Sequence, residues 1–186
     1  MPTSDIRLIS NGDSVLVVVD MQERLIPKIF NQHTVTSNAI TLIKSAEILN
    51  IPIIVTEQYP KGLGPTIPEI KDLIVPWQPI EKICFSCFGS IDFSRKLKEE
   101  KRDNLILCGI ESHVCIMQTA LDGLKSGYSV FFIKDAISSR TKNNRETGFE
   151  RMAQAGAIPV STEMVVFELL REAGTEKFKQ IVSLIR

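Results

Sequence analysis

The run Ser14-Val-Leu-Val-Val-Val-Asp20 constrains the fold more than any other stretch of the chain. Its β-branched residues follow one another without polar alternation, so both faces of the strand must be covered. That is the environment of a central strand in a parallel sheet, where neighbours are joined by long, usually helical crossovers. Comparable apolar runs lie at Pro52–Thr56, Leu105–Cys108, Tyr128–Ile133 and Ile158–Val160, and Pro79–Lys82 reads as a short extended piece. Between them, helical spacing predicts helices over 34–49, 93–101, 143–155, 163–172 and 176–184. A further helix runs to Ser126 from a start that Ser112 or His113 can cap, and Gly127 and Gly156 are stop signals. The alternation predicts an α/β fold: a three-layer, doubly wound (Rossmann-like) sheet of about six mainly parallel strands, with helices on both faces. The segment Gln58–Pro68, rich in glycine and proline, reads as a loop of the kind that lines ligand pockets.

With 186 residues, 44% of them hydrophobic, the chain can bury one full core as a single domain, 1–186. Its 22 basic and 22 acidic residues balance, with no basic stripe and no clustered aromatics, which argues against nucleic acid as a partner. Met1 to Asn11 is polar and no later segment is long enough to span a bilayer, so the expected location is cytoplasmic, with no membrane partner. Four cysteines fit a reducing compartment better than a disulfide framework. Cys84 and Cys87 have CxxC spacing, but there is no second CxxC and no nearby histidine to complete a zinc site. The flanking Phe85, Ser86 and Phe88 favour packing over a redox pair.

In an open parallel sheet, ligands bind beyond the carboxyl ends of the strands, near the point where strand order reverses. Asp20, Lys82 and Cys115 all fall at or just past such ends. Singly, each has an ordinary explanation: a helix cap, a solvated lysine, a small core hydrophobe. Cys115 stands out because it sits in the first helical turn after Gly109. Free N–H groups and the helix dipole there favour the thiolate, the form that attacks carbonyl carbon. His113, two residues away, lies on a different helix face and is better read as a capping or interface residue.

Three motifs in order carry a family resemblance: the strand ending Asp20-Met21-Gln22, then Glu81-Lys82-Ile-Cys-Phe-Ser86, then Gly109-Ile-Glu-Ser-His-Val-Cys115 followed by Gln118-Thr119-Ala120. Over nearly its whole length the chain resembles the isochorismatase-like cysteine hydrolases. Its segment Thr56–Thr66 looks like the branch of isochorismatase domain-containing proteins. The resemblance implies a triad of Cys115 as nucleophile, Asp20 as general base and acid, and Lys82 as electrostatic support. It also implies an oxyanion hole from the N–H groups of Glu111 and Cys115, and a cis peptide between Ile110 and Glu111. The reaction so implied is hydrolysis of a small amide-like C–N bond through a thioester; the alternative is a catalytically idle binding or scaffold protein on the same fold.

Nicotinamidases of this superfamily carry an Asp-x-His metal motif and a further histidine after the second strand. Here Thr56-Glu57-Gln58-Tyr59 stands in that place and His33 and His113 are the only histidines, so no metal and no cofactor are expected. Candidates for the pocket wall are Gln22, Glu57, Gln58, Tyr59, Phe85 and Phe88, for each of which ordinary packing is the competing reading. The expected partners are a small-molecule substrate and, since similar proteins are commonly dimers or larger, further copies of the same chain.

Overall fold

Strand β1 (Ser14–Val19) runs through the middle of the sheet, and every one of its residues is buried. The structure, a computed structural model, describes residues 8–185. Most of the polar N-terminal segment read above, Met1–Arg7, lies outside the described residues. After β1 come a short turn (Ile26–Lys28), α1 (Gln32–Leu49), β2 (Ile53–Gln58), α2 (Pro60–Leu63), α3 (Pro68–Lys71) and β3 (Ile80–Lys82). A turn at Cys87–Gly89 leads to α4 (Ile91–Glu100), β4 (Asn104–Ile110), a π-helical turn (Ser112–Ile116) and α5 (Met117–Lys125). The chain then forms β5 (Ser129–Ser138), α6 (Lys142–Gln154), β6 (Ile158–Val160), α7 (Thr162–Leu170) and α8 (Glu176–Ile185).

The six strands are ordered β3-β2-β1-β4-β5-β6, and all five pairings are parallel. Because side chains alternate along a strand, β1 divides its residues between two cores. Leu16 and Val18 pack towards α1, α7 and α8 through Leu42, Ile43, Val166 and Ile181. Val15, Val17 and Val19 pack towards α4, α5 and α6 through Phe93, Leu97, Ala120 and Phe149. The predicted three-layer α/β architecture is therefore the observed one. Order reverses between β1 and β4, where the chain has wound out to β3 and returns to build the other half. Asp20 and Cys115 follow those two strands.

Three details differ from the sequence reading. Strand β5 does not stop at Ile133: Phe132 faces Leu107, the register then shifts, and pairing resumes with Ile137 opposite Gly109. Asp135 thus lies inside β5, and its carboxylate accepts from the Thr162 N–H and hydroxyl, both at 2.9 Å, anchoring the start of α7. The Gln58–Pro68 segment is not all loop, since Pro60 opens the single helical turn α2. Ser112 and His113 cap nothing: the Ser112 hydroxyl donates to the Arg145 carbonyl, and His113 Nδ1 pairs with Ser139 Oγ at 3.0 Å. Among the described residues, no helix is long and apolar enough to cross a membrane.

Candidate active site

Asp20 ends β1 with a backbone φ of +54°, a left-handed conformation that aspartate adopts more readily than most residues. Its N–H donates to the Thr56 carbonyl (3.2 Å), so the neighbouring strand β2 fixes where the side chain starts. Lys82 closes β3 two strands away. Its Nζ donates to Asp20 Oδ2 at 2.7 Å and to Gln58 Oε1 at 2.8 Å, with the carbonyls of Phe85 and Cys84 at 3.2 and 3.4 Å. Both side chains of this ion pair are fully buried. Burial alone works against the ammonium. The negative charge of Asp20 and its hydrogen bond outweigh it and raise the Lys82 pKa above its ordinary 10.5.

Cys115 reaches the same point from β4. Gly109 allows the approach: its φ is +115°, and a Cβ there would run into the backbone of Val19. The Ile110–Glu111 peptide bond is cis. The π-helical turn follows, with the Ile116 N–H donating to the Glu111 carbonyl at 3.2 Å, and it presents Cys115 with 6% of its surface exposed. The Asp20 carboxylate lies close enough for its charge to act on the thiol. Here the structure corrects the expectation of a thiol biased towards the anion. Desolvation and the nearby Asp20 charge push the Cys115 thiol up, against a smaller downward pull from Lys82. The resting group is S–H with a carboxylate beside it, so the proton moves when the sulfur attacks.

Helix α6 braces this turn from outside. Gly148 lies so close that a Cβ would meet the Ser112 side chain and the His113 backbone, 2.9 Å from its nitrogen. The Glu111 carboxylate is held by Arg140, through its N–H at 2.9 Å and its Nε at 3.1 Å.

With this geometry in view, comparison with known proteins is informative. The model of the isochorismatase domain matches residues 14–164. The chain belongs to the isochorismatase family. Isochorismatase domain-containing protein 2 of Danio rerio is 42% identical over 178 residues, spanning 95% of this chain and 89% of that protein. Among solved structures, the MAR1 ribonuclease of Caenorhabditis elegans superposes with a TM-score of 0.90 at 40% identity, covering 96% of this chain and 92% of its own. YcaC from Pseudomonas aeruginosa, solved with hexane-2,5-diol and covalent acrylamide, gives 0.91 at 26% identity (98% and 93% covered). YcaC from Escherichia coli, an octameric hydrolase of unknown specificity, gives 0.91 at 25% identity (98% and 92% covered). Family membership makes the chain a hydrolase-type domain; its substrate is a separate question.

The remaining candidates for this family member's pocket divide into braces and open surface. Gln22 is fully buried, and its amide is spent on the backbone: it donates to the carbonyls of Gln58 and Gly64 and accepts from the Gln58 N–H. Glu57 turns to Thr66, accepting from its N–H at 2.7 Å and its hydroxyl at 2.8 Å. Gln58 bridges Lys82 to the Ile83 carbonyl. Phe88 stacks edge-on against Phe93 and tilts against Tyr128, packing beneath α4. Only Tyr59 and Phe85, about half exposed, present faces to solvent near Lys82. Sequence reasoning missed Thr56, whose hydroxyl donates to Asp20 Oδ1 at 2.7 Å. The available signal was a polar β-branched residue closing an apolar strand.

Proposed function

We propose that this protein is a cysteine hydrolase that needs no metal and cleaves a small amide-like C–N bond through a thioester. The observation that carries the reading is the buried Asp20–Lys82 pair at 2.7 Å, near enough to Cys115 for both charges to act on its thiol. Asp20 takes the thiol proton as sulfur attacks the carbonyl carbon, and the Lys82 ammonium stabilises the anionic character of the site. Every donor of Lys82 already faces Asp20, Gln58 or a backbone carbonyl. As the family resemblance implies, the N–H groups of Glu111 and Cys115, at the start of the helical turn, receive the oxyanion. Collapse of the tetrahedral intermediate sends the proton from Asp20 to the leaving amine. Asp20 then deprotonates the water that hydrolyses the thioester. The covalent acrylamide on the Pseudomonas relative supports a nucleophile that accepts a ligand of small-amide size.

Tyr59 and Phe85 form the outer wall for the substrate, flat apolar faces beside a polar reaction centre. We place the protein in a reducing, cytoplasmic compartment on the strength of four free cysteines. We also propose homo-oligomers, since Ile83 and Phe85 are exposed just after edge strand β3, Ile91 is exposed at the start of α4, and the Escherichia relative is octameric. A panel of small amides and ureas, with a short RNA added because the Caenorhabditis relative is a ribonuclease, tests the catalytic reading. Wild type is expected to turn over an amide, and Cys115→Ala to lose at least about 1,000-fold of that rate. RNA cleavage unaffected by Cys115→Ala, with no amide turnover, would overturn it.

A further inference from the structure

Asp20 Oδ2 is held by Lys82, but its other oxygen has a separate partner that the triad does not explain. Thr56 is fully buried on β2, directly beside the end of β1, with Val19 and Thr56 in register. Its carbonyl takes the Asp20 N–H, and its hydroxyl donates to Asp20 Oδ1 at 2.7 Å. One residue therefore clamps the aspartate at backbone and side chain. The hydroxyl is itself oriented from behind: the Cys87 sulfur lies 3.9 Å from Thr56 Oγ1. Cys87 is in turn fixed from α5, its N–H donating to Thr119 Oγ1 at 2.9 Å. All three residues are buried to 0% exposure.

From this chain of contacts we propose that Thr56 is a positioning residue for the general base, and that Cys87 and Thr119 set the direction of its hydroxyl. The inference rests on Asp20 being the base of the proposed hydrolase and goes beyond the triad itself. Donor directions fit in one way only. An ionised carboxylate can only accept, so the Thr56 hydrogen points at Asp20. The lone pairs of Thr56 then face Cys87, which must present S–H. Burial, with the Asp20 charge adding to it, pushes the Cys87 thiol up to about 12, so it stays a donor across the working range. Without the Thr56 donor, Asp20 is held through one oxygen and can rotate about its terminal bond, changing how the carboxylate faces Cys115. The same contacts give Cys87 a use distinct from a CxxC redox pair, and give Thr119 of the Gln118-Thr119-Ala120 motif a reason to be threonine.

A readout without substrate tests this: the second-order rate of Cys115 modification by iodoacetamide, followed by peptide mass spectrometry across a pH series. Thr56→Val keeps shape and strand preference but removes the donor. It is expected to slow Cys115 modification by about 10–100-fold, with an altered pH profile, while Thr56→Ser restores both. Cys87→Ala is expected to slow it less, and Cys87→Ser to match wild type. Should Thr56→Val fail to fold, Thr56→Ala carries the same expectation. An Asp20→Asn rate equal to wild type would overturn the role of Asp20 as base. A slow Asp20→Asn beside a Thr56→Val that matches wild type in rate and pH profile would overturn the positioning role alone.

Discussion

At the scale of single residues, the site stores its proton on sulfur. A thiol pushed upward by burial and a neighbouring carboxylate does not wait as thiolate, and attack depends on Asp20 receiving the proton. Modification of Cys115 by iodoacetamide should therefore still be climbing above about pH 9, the ordinary thiol range; a plateau below about pH 8 would contradict this. Asp20→Asn should lower turnover of any amide found by about 100–10,000-fold while leaving the thiol in place, measured as kcat on the best member of the panel. Lys82 has a second duty. Lys82→Met removes the buried partner of Asp20 and should destabilise the protein by about 3–5 kcal/mol in urea unfolding, because an uncompensated charge is left inside. These roles were only partly legible in the chain. The three residues could be placed at strand ends, but the direction of the Cys115 pKa depends on what surrounds it in space. The helix start is visible in the sequence, and the carboxylate brought in from β1 is not.

At the scale of elements, two close approaches hold the nucleophile turn. Gly109 lets β4 pass against the backbone of Val19, and Gly148 lets α6 lie on the Ser112–His113 turn. A methyl at Gly109 meets backbone that cannot rotate away, at a φ that side chains rarely adopt. Gly109→Ala is therefore expected to destabilise by more than about 2 kcal/mol in chemical denaturation, and a loss below about 0.5 kcal/mol would contradict the packing described. Central strands were the easiest elements to read, because β1, β2 and β4 are apolar runs without alternation. The apolar run that predicts β5 stops at Ile133, where the charged Lys134 and Asp135 follow. They mark instead a register shift, after which the strand resumes through Ser138. The turn before α5 was misread for a related reason. Ser112 and His113 are good capping residues in isolation, yet tertiary partners on α6 and just past the end of β5 claim their side chains.

At the scale of the whole molecule, the sheet order brings ends of β1, β3 and β4 together although their residues are far apart in sequence. A doubly wound fold has its switch point there, and that much followed from the βα alternation. The second layer around Asp20 did not, because Thr56, Cys87 and Thr119 lie on three different elements whose meeting only the fold defines. Burying thiols has a global consequence. Cys87 and Cys108 are pushed to about 12 and Cys115 is also raised, each first by burial, while an unfolded thiol titrates near its ordinary value of 9.0. The folded state thus keeps protons that the unfolded state releases. Stability from these groups is complete below that value and falls as pH rises towards 12, with Lys82 adding the same sign above 10.5. A melting temperature several degrees lower at about pH 10.5 than at about pH 8 is expected by calorimetry.

The central claim is that acyl transfer runs through Cys115. Acid quench of the enzyme during turnover of its best amide, followed by intact and peptide mass spectrometry, reads that intermediate directly. The account predicts an added acyl mass on the peptide carrying Cys115, absent from Cys115→Ala together with activity. Amide hydrolysis that persists in Cys115→Ala, with no acyl mass on wild-type Cys115, would contradict it.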